Sequence, residues 1–426
     1  MIRGGLIVAL AAALMPAALV SAADLAIRDG DVVVFVGDYV TEEYQNRGGD
    51  RVAWPTHVES FLAVRYPELK ASYFNAAWGN ASAGEVVERL DRDVLKRKPT
   101  VAVICLGLQE AGLGPFNQET LDRHAAAMKK LLAAIKTAGC RTYVMSPPSV
   151  DEQRSDRLAE VEYNKTLAKY AEAQKQIAED AEAVFIDWFG GSMVAREEGL
   201  KRNNRFSFSD GGLQHTQESH TFAAGLVLDA FGAEPIKVEI SLDWDSGVIE
   251  STIPGASVTK QEDGVRVIEL PNVPLPWPTL VGLAPVFAET GEADRWSRYQ
   301  LKITNAPAPG LIMAHENMQV PVIVQQLTAG MNLASVEPLR SLKAAQDLGN
   351  LIRRKNYTRV HAWRDQELEP LAEPELAEAQ QALIGAWYKY VEGYEKMIAR
   401  MPKSLNLKLE LKPLMVAAPQ PPADPK

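Results

Sequence analysis

The sequence holds only two cysteines in 426 residues, Cys105 and Cys140. That is too few for a disulfide framework or a multi-cysteine zinc site. Positive charge is also scarce: 45 Lys and Arg stand against 55 Asp and Glu, a formal charge of −10. An acidic balance of this kind argues against nucleic acid or an anionic membrane as a general partner. Local basic runs such as Arg353-Arg354-Lys355 read as solvated helix faces. No internal repeat is present, and no cofactor is expected. Hydrophobic residues at 46% and charged residues at 23% form an ordinary globular mixture, which excludes disordered, collagen-like and multi-span membrane classes. At roughly 150 residues per domain, the length implies two to three units.

One charge-free apolar run stands out at the amino terminus. Met1-Ile2-Arg3 supplies a positive charge, Gly4 to Val20 carries none, and Val20-Ser21-Ala22-Ala23 fits a small-x-small cleavage site. The pattern reads as a secretory signal peptide over residues 1–23. The run lies at the short end of the ~17–25 residues that a membrane span needs. The expectation is export to the periplasm or the extracellular space, with no integral span left after cleavage.

Downstream, β-branched runs alternate with helical spacing. Asp31–Val36, Ala71–Phe74, Val101–Leu106, Arg141–Met145 and Ala183–Ile186 read as strands. Arg51–Tyr66, Gly84–Lys96, Glu119–Thr137, Asp156–Asp180 and Ser219–Phe231 read as helices. Continuous apolar strands separated by helices predict a parallel five-stranded sheet covered on both faces, an α/β three-layer sandwich over residues 24–234. The loops at the carboxyl ends of its strands form the natural cleft.

After Pro235 the pattern changes. Lys237–Leu242 and Gly264–Leu270 alternate with period two, as half-buried antiparallel strands do, and residues 235–335 read as a β-rich extension. Val336–Asn356 and Glu373–Met401 read as long helices within a helical segment, 336–402, and residues 403–426 as a loose, proline-rich tail.

Four segments at the strand ends follow one another in a telling order: Phe35-Val-Gly37-Asp38-Tyr39-Val40-Thr41, Asn75-Ala-Ala-Trp78-Gly79-Asn80-Ala-Ser82, Leu106-Gly107-Leu108-Gln109-Glu110 and Gly211-Gly-Leu-Gln214-His215. Together they resemble the four blocks of the SGNH hydrolases, the GDSL-like lipases and esterases. The resemblance covers roughly Asp31 to Gly232 and implies a flavodoxin-like sandwich with an esterase site. The carboxyl region, with Asn305, Gly330-Met-Asn-Leu333, Lys355-Asn356 and Trp363-Arg364, looks like an extension found in exported bacterial members.

The resemblance also implies which positions should be catalytic, and each is substituted. Tyr39 stands where the family has its serine nucleophile. Asn80 replaces the glycine whose N–H serves the oxyanion. Asparagine tolerates a left-handed backbone, so the N–H could survive while the side chain crowds the pocket. Gln109 replaces the oxyanion asparagine, one methylene longer. Ungapped, Gly211 and Gln214 fall where the family has Asp and His. A serine is nucleophilic only when a histidine takes its proton, and a tyrosine phenol, with a pKa of roughly 10, needs its own base. The expected protein has therefore lost or greatly weakened ester hydrolysis while keeping a cleft for a glycan- or acyl-type ligand. That cleft would be lined by Asp38, Trp78, Gly79, Gly107 and Glu110 beside the substituted positions.

Alternatives remain beside this reading. A gapped final block makes His215 the base and Asp210 its orienter, with Tyr39 attacking, which would be a working carbohydrate or acyl esterase. Ser82 partly matches a nucleophile elbow. Asp38, Glu110, Asp210, His215 and His220 could converge on a metal, although their spacing fits no standard ligand motif. His57, His124, His315 and His361 read as isolated, solvent-facing or structural. Cys105 and Cys140 read as buried small hydrophobes.

Overall fold

The computed structural model of the chain describes residues 25–42, 52–261, 263–278, 291–336, 342–368 and 371–414. The leader and the last twelve residues of the expected tail lie outside the described residues. Among the described residues no helix is long and apolar enough to cross a membrane.

Five strands, β1 (Val32–Gly37), β2 (Ser72–Asn75), β3 (Val101–Cys105), β4 (Arg141–Met145) and β5 (Val184–Ile186), pair in parallel in the order β2-β1-β3-β4-β5. Strand geometry sends alternate side chains to opposite faces. Val33, Phe35, Val101 and Val103 join one core cluster, and Val34, Val36, Ala102 and Ile104 join the other. Helices α1 (Trp54–Arg65) and α6 (Gln217–Ala230) feed the first; α2 (Ala83–Glu88) and α3 (Gln118–Thr137) cover the second. At the amino end of the sheet, Asp31 accepts from Thr100 Oγ1 at 2.6 Å and Arg141 Nη2 at 2.5 Å, tying together the starts of β1, β3 and β4.

Besides Gly84–Lys96, which splits into α2, Leu90–Asp93 and the 3₁₀ turn Leu95–Arg97, two helices differ from expectation. The run Asp156–Asp180 breaks at Glu162, whose φ is 46°, leaving Asp156–Glu160 and α4 (Tyr163–Asp180). Tertiary bonds explain the break: Tyr163 Oη donates to the Leu108 carbonyl, and Asn164 exchanges bonds with Val150 at 2.9 and 3.0 Å. The second, α5 (Trp188–Arg202), was not anticipated, because Gly190-Gly191 lowers its intrinsic helicity. A Cβ on Gly191 would lie 3.4 Å from Phe222, so a small residue lets α5 approach α6.

The extension contains two sheets: one runs β10 (Ser257–Lys260), β11 (Arg266–Pro274), β16 (Ser404–Pro413), β13 (Gly310–His315), β14 (Met318–Ile323), the other β15 (Met331–Asn332), β12 (Ser297–Thr304), β8 (Ile236–Asp243), β9 (Ile249–Ser251). Antiparallel pairing was expected, yet β8 (Ile236–Asp243) and β12 (Ser297–Thr304) run parallel, from Ile236↔Ser297 to Asp243↔Thr304. The long excursion through β9, β10 and β11 allows this, since a parallel pair needs a crossover rather than a hairpin. The tail also needs correcting. Residues Ser404–Pro413 form β16, seated between β11 (Arg266–Pro274) and β13 (Gly310–His315). Leu407, Leu409 and Leu411 are buried at period two. Apolar alternation outweighs the lysines and prolines around it.

Helices α7 (Lys343–His361) and α8 (Pro374–Arg400) return to the α/β layer. Lys355 makes a buried ion pair with Glu59 of α1, and Asn356 Nδ2 donates to Thr56 Oγ1 at 2.8 Å and Glu59 Oε2 at 2.9 Å. A buried pair of this kind fixes geometry more than it adds stability. A cavity of about 550 Å³ lies between Arg65, Glu234, Pro274 and Lys403, beside the shared core in which Phe61 packs on Trp277 and Trp296. It lies at the opposite end of the sheet from the residues described next.

Candidate active site

The first loop leaves β1 through Gly37, where a Cβ would stand 2.2 Å from Thr41 Oγ1 and 2.6 Å from the Cys105 carbonyl. Only glycine fits. Asp38 follows, fully buried; its Oδ1 accepts the Val40 N–H at 3.3 Å, its own N–H donates to the Cys105 carbonyl at 3.3 Å, and the N–H groups of Leu108 and Gln109 lie close by. Burial pushes its carboxyl up to about 7 in spite of those donors. Asp38 thus locks the loop after β1 to the loop after β3. Tyr39 sits next to it, half-buried against the core edge.

The second loop is held by the first. Asn75 Nδ2 donates to the Thr41 carbonyl at 2.8 Å, and the Trp78 N–H to the Gly37 carbonyl at 3.1 Å. Two guanidinium groups lie over the Trp78 ring, Arg364 at 4.1 Å and Arg89 at 5.7 Å from its centroid. Arg364 comes from the π-helical turn Ala362–Glu367 that follows α7; it pairs with Glu42 and donates to the Ala77 carbonyl at 3.3 Å. A Cβ on Gly79 would lie 2.4 Å from the Glu42 carboxylate. Asn80 is exposed and is not among the left-handed residues. The left-handed backbone and crowded pocket expected of it are therefore not found. Ser82 caps α2 in a capping box with Glu85, its N–H donating to Glu85 Oε2 at 2.7 Å, so its hydroxyl has a structural task.

In the third loop Gly107 takes φ +111°, and a Cβ there would meet Gln174 Nε2 at 3.1 Å and Tyr170 at 3.2 Å. Glu110 Oε2 accepts from the Ala83 N–H at 3.0 Å and bonds His124 Nδ1 at 2.7 Å. Gln174 Nε2 donates to the Leu106 carbonyl at 2.8 Å and stands 2.9 Å from His124 Nε2. An amide donor facing Nε2 assigns the neutral tautomer with its proton on Nδ1, directed at Glu110. His124 is completely buried and linked rather than isolated. No signal in the sequence marked the Glu110–His124–Gln174 chain, because its three members are scattered over three elements.

The final block is a two-stranded ribbon. Ser209–Asp210 (β6) pairs antiparallel with Gln214–His215 (β7), with Asp210 opposite Gln214 and Ser209 opposite His215. Gly211 and Gly212 make the turn at φ +57° and +88°. Cross-strand partners share a face and neighbours alternate. Asp210 and Gln214 therefore face one side, while Ser209 and His215 are buried on the other. The His215 Nδ1 atom bonds Ser219 Oγ at 2.8 Å, where a triad would place a carboxylate, and its ring packs 5.6 Å from Trp188. Burial holds its pKa down at about 3. The ribbon is fastened to the loop after β4 by Asp151, whose N–H donates to the Gly212 carbonyl at 3.0 Å.

All four blocks therefore lie at the carboxyl edge of the sheet, with Asp31 at the far edge. Asp38 and Glu110 accept backbone N–H bonds from Val40 and Ala83 respectively, Gly107 lies against Gln174 and Tyr170, Gly79 lies beside Glu42, and Trp78 lies under Arg364 and Arg89. Tyr39, Gln109 and Gln214 remain half-exposed at the rim. Among the described residues no group of three or more His, Cys, Asp or Glu side chains is placed to hold a metal ion. His57 is also buried, 3.3 Å from Gln217 Oε1, and burial lowers its pKa to about 4.

Residues 35–215 match the model of the GDSL-like lipase/acylhydrolase family. The acetylxylan esterase of Geobacillus stearothermophilus is 24% identical over 174 residues, 38% of this chain and 77% of that protein. Its crystal structure aligns with a TM-score of 0.40 and 23% identity, covering 49% of this chain and 97% of that one. BT4096, a gut microbial diltiazem-metabolizing enzyme, aligns over 91% of this chain and 98% of its own, with a TM-score of 0.68 and 17% identity. That likeness of fold spans the extension as well as the sheet.

Proposed function

Residues 35–215 belong to the GDSL-like lipase/acylhydrolase (SGNH hydrolase) family, and from that premise we propose an exported relative in which ester hydrolysis is lost or greatly weakened and ligand binding is kept. One observation carries the reading: the histidine of the final block, His215, is buried with Nδ1 bonded to Ser219, while Gln214 faces outward in its place. Glutamine cannot take and return a proton near neutral pH. Losing triad members costs roughly 10⁴ to 10⁶ in rate. Tyr39, Gln109 and Gln214 offer one aromatic surface and two amides, suited to hydroxyls and acyl groups. The kinship to an acetylxylan esterase supports an acylated glycan as the ligand class. The amino-terminal run of the sequence supports export.

The test is steady-state turnover of p-nitrophenyl acetate and acetylated xylo-oligosaccharides at pH 7 to 9 by wild type and Tyr39→Phe. Equal, near-background rates are expected, with the oligosaccharides still binding in calorimetry. A wild-type rate more than about a hundredfold above the variant, ~2.7 kcal/mol of transition-state stabilisation, would make Tyr39 a nucleophile and overturn the reading.

A further inference from the structure

Helix α8 carries a row of large apolar side chains that none of the described residues covers. Leu376, Leu383, Tyr390 and Met397 recur every seven residues and are 54%, 45%, 65% and 50% exposed. The helix already has its own core-facing side, with Gln380, Ile384 and Val391 buried. Exposed large apolar residues at a strict seven-residue interval form a second, separate seam.

Between the large residues, three positions on, stand small ones: Ala379, Ala386 and Gly393. Glycine inside a helix costs about 1 kcal/mol relative to alanine. Nothing lies within 4 Å of the position a Cβ on Gly393 would take, so packing within this chain does not explain it. The charges beside the seam are divided along the helix. Glu375 and Glu378 lie near its start, Lys389 and Lys396 near its end. All four are exposed, and among the described residues none of them has an ion-pair partner.

We propose that α8 is the interface of a two-fold dimer in which it packs antiparallel against α8 of a second copy of this chain. A single register pairs three of the four large residues with small ones, while Met397 falls opposite position 372, just before the helix begins. Leu376 then faces Gly393 of the other copy, Leu383 faces Ala386, and Tyr390 faces Ala379. Each of these three large side chains meets a small one, which permits close approach of the two axes. The same register sets Glu375 beside Lys396 across the seam, twice by symmetry. A parallel pairing would stack large on large and set the two acidic ends together. Self-complementarity under a two-fold axis is what an isologous contact requires.

Sedimentation equilibrium on the purified chain tests this. A helix pair lies at the small end of specific interfaces, so a dimer dissociating at roughly micromolar concentration is expected. Leu383→Glu, at an exposed position, should weaken association at least tenfold with an unchanged thermal melt. Glu375→Lys and Lys396→Glu should each weaken it several-fold, and the two together should restore it. Leu376→Cys combined with Gly393→Cys should cross-link copies on oxidation, whereas Leu376→Cys alone should not. A monomer up to roughly 100 µM, or a dimer indifferent to Leu383→Glu, would overturn the proposal. So would a monomer that uses the stripe to bind phosphatidylcholine–phosphatidylglycerol vesicles, which would give the seam to a bilayer.

Discussion

At Tyr39 a phenol replaces a short hydroxyl arm, and at Gln109 an amide is carried one methylene further out. Neither change touches the frame, because Asp38, Gly37 and Glu110 are bonded from behind the site. Reversion at one position should therefore fold normally and do little: Tyr39→Ser still leaves Gln214 where the family has His. Tyr39→Ser, Gly211→Asp and Gln214→His together should give a trace of p-nitrophenyl acetate turnover above any single reversion. Asp is tolerated at Gly211 because αL backbone is open to it. Additive single-site gains would contradict a site acting as a unit. The frame itself is less forgiving. Gly107→Ala must hold a side chain at φ +111° against Gln174 and Tyr170, and urea titration should show a loss of about 1–3 kcal/mol.

Among the elements, β16 fixes the extension. Leu409 is fully buried while its neighbour Lys408 is exposed. Leu409→Ala should cost about 2–5 kcal/mol in denaturant unfolding, and Lys408→Ala almost nothing. Equal effects would mean the strand is not seated between β11 and β13. The same strand marks where sequence reading stops working. β1 and β3 were legible because runs such as Val101–Cys105 have no polar interruption, as strands covered on both faces require. The site's loops were legible through block order. In β16 the alternation Leu405, Leu407, Leu409, Leu411 was there, but Lys and Pro nearby suggested a solvated tail. The parallel pairing of β8 with β12 could not be read at all, since period two is the same for either direction. The order of the blocks drew attention to Trp78, but not to the cation at 4.1 Å over its ring, because Arg364 arrives from 286 residues further along the chain.

For the whole molecule, acid sensitivity follows from buried titratable groups. His57 and His215 have folded pKa values of about 4 and about 3, below the ordinary 6.5. They contribute stability above pH 6.5 that is lost as pH falls through 4, because the unfolded chain binds the protons first. Asp38 and Glu292 act oppositely, with carboxyls raised to about 7 by burial. Their contribution is present below pH 4 and lost as pH rises through 7. The two sets offset one another between pH 5 and 7, so thermal midpoints should form a plateau there and fall steeply from pH 5 to 3. His57→Gln should flatten the acid limb; an unchanged slope would remove His57 as a cause.

The place of β16 also bears on when the protein can finish folding. The α/β sheet is complete once residue 186 has emerged, and its final ribbon by residue 215. The second sheet waits: β11 and β13 are made early, but the gap between them is filled only by residues 404–413. Until those residues arrive, two strand edges stay unpaired, a state prone to association with other chains. A chain cut short before residue 404 would thus carry an intact first layer and an open second one. Synthesis that stops early would leave an unsealed sheet, with the edges of β11 and β13 that face β16 open.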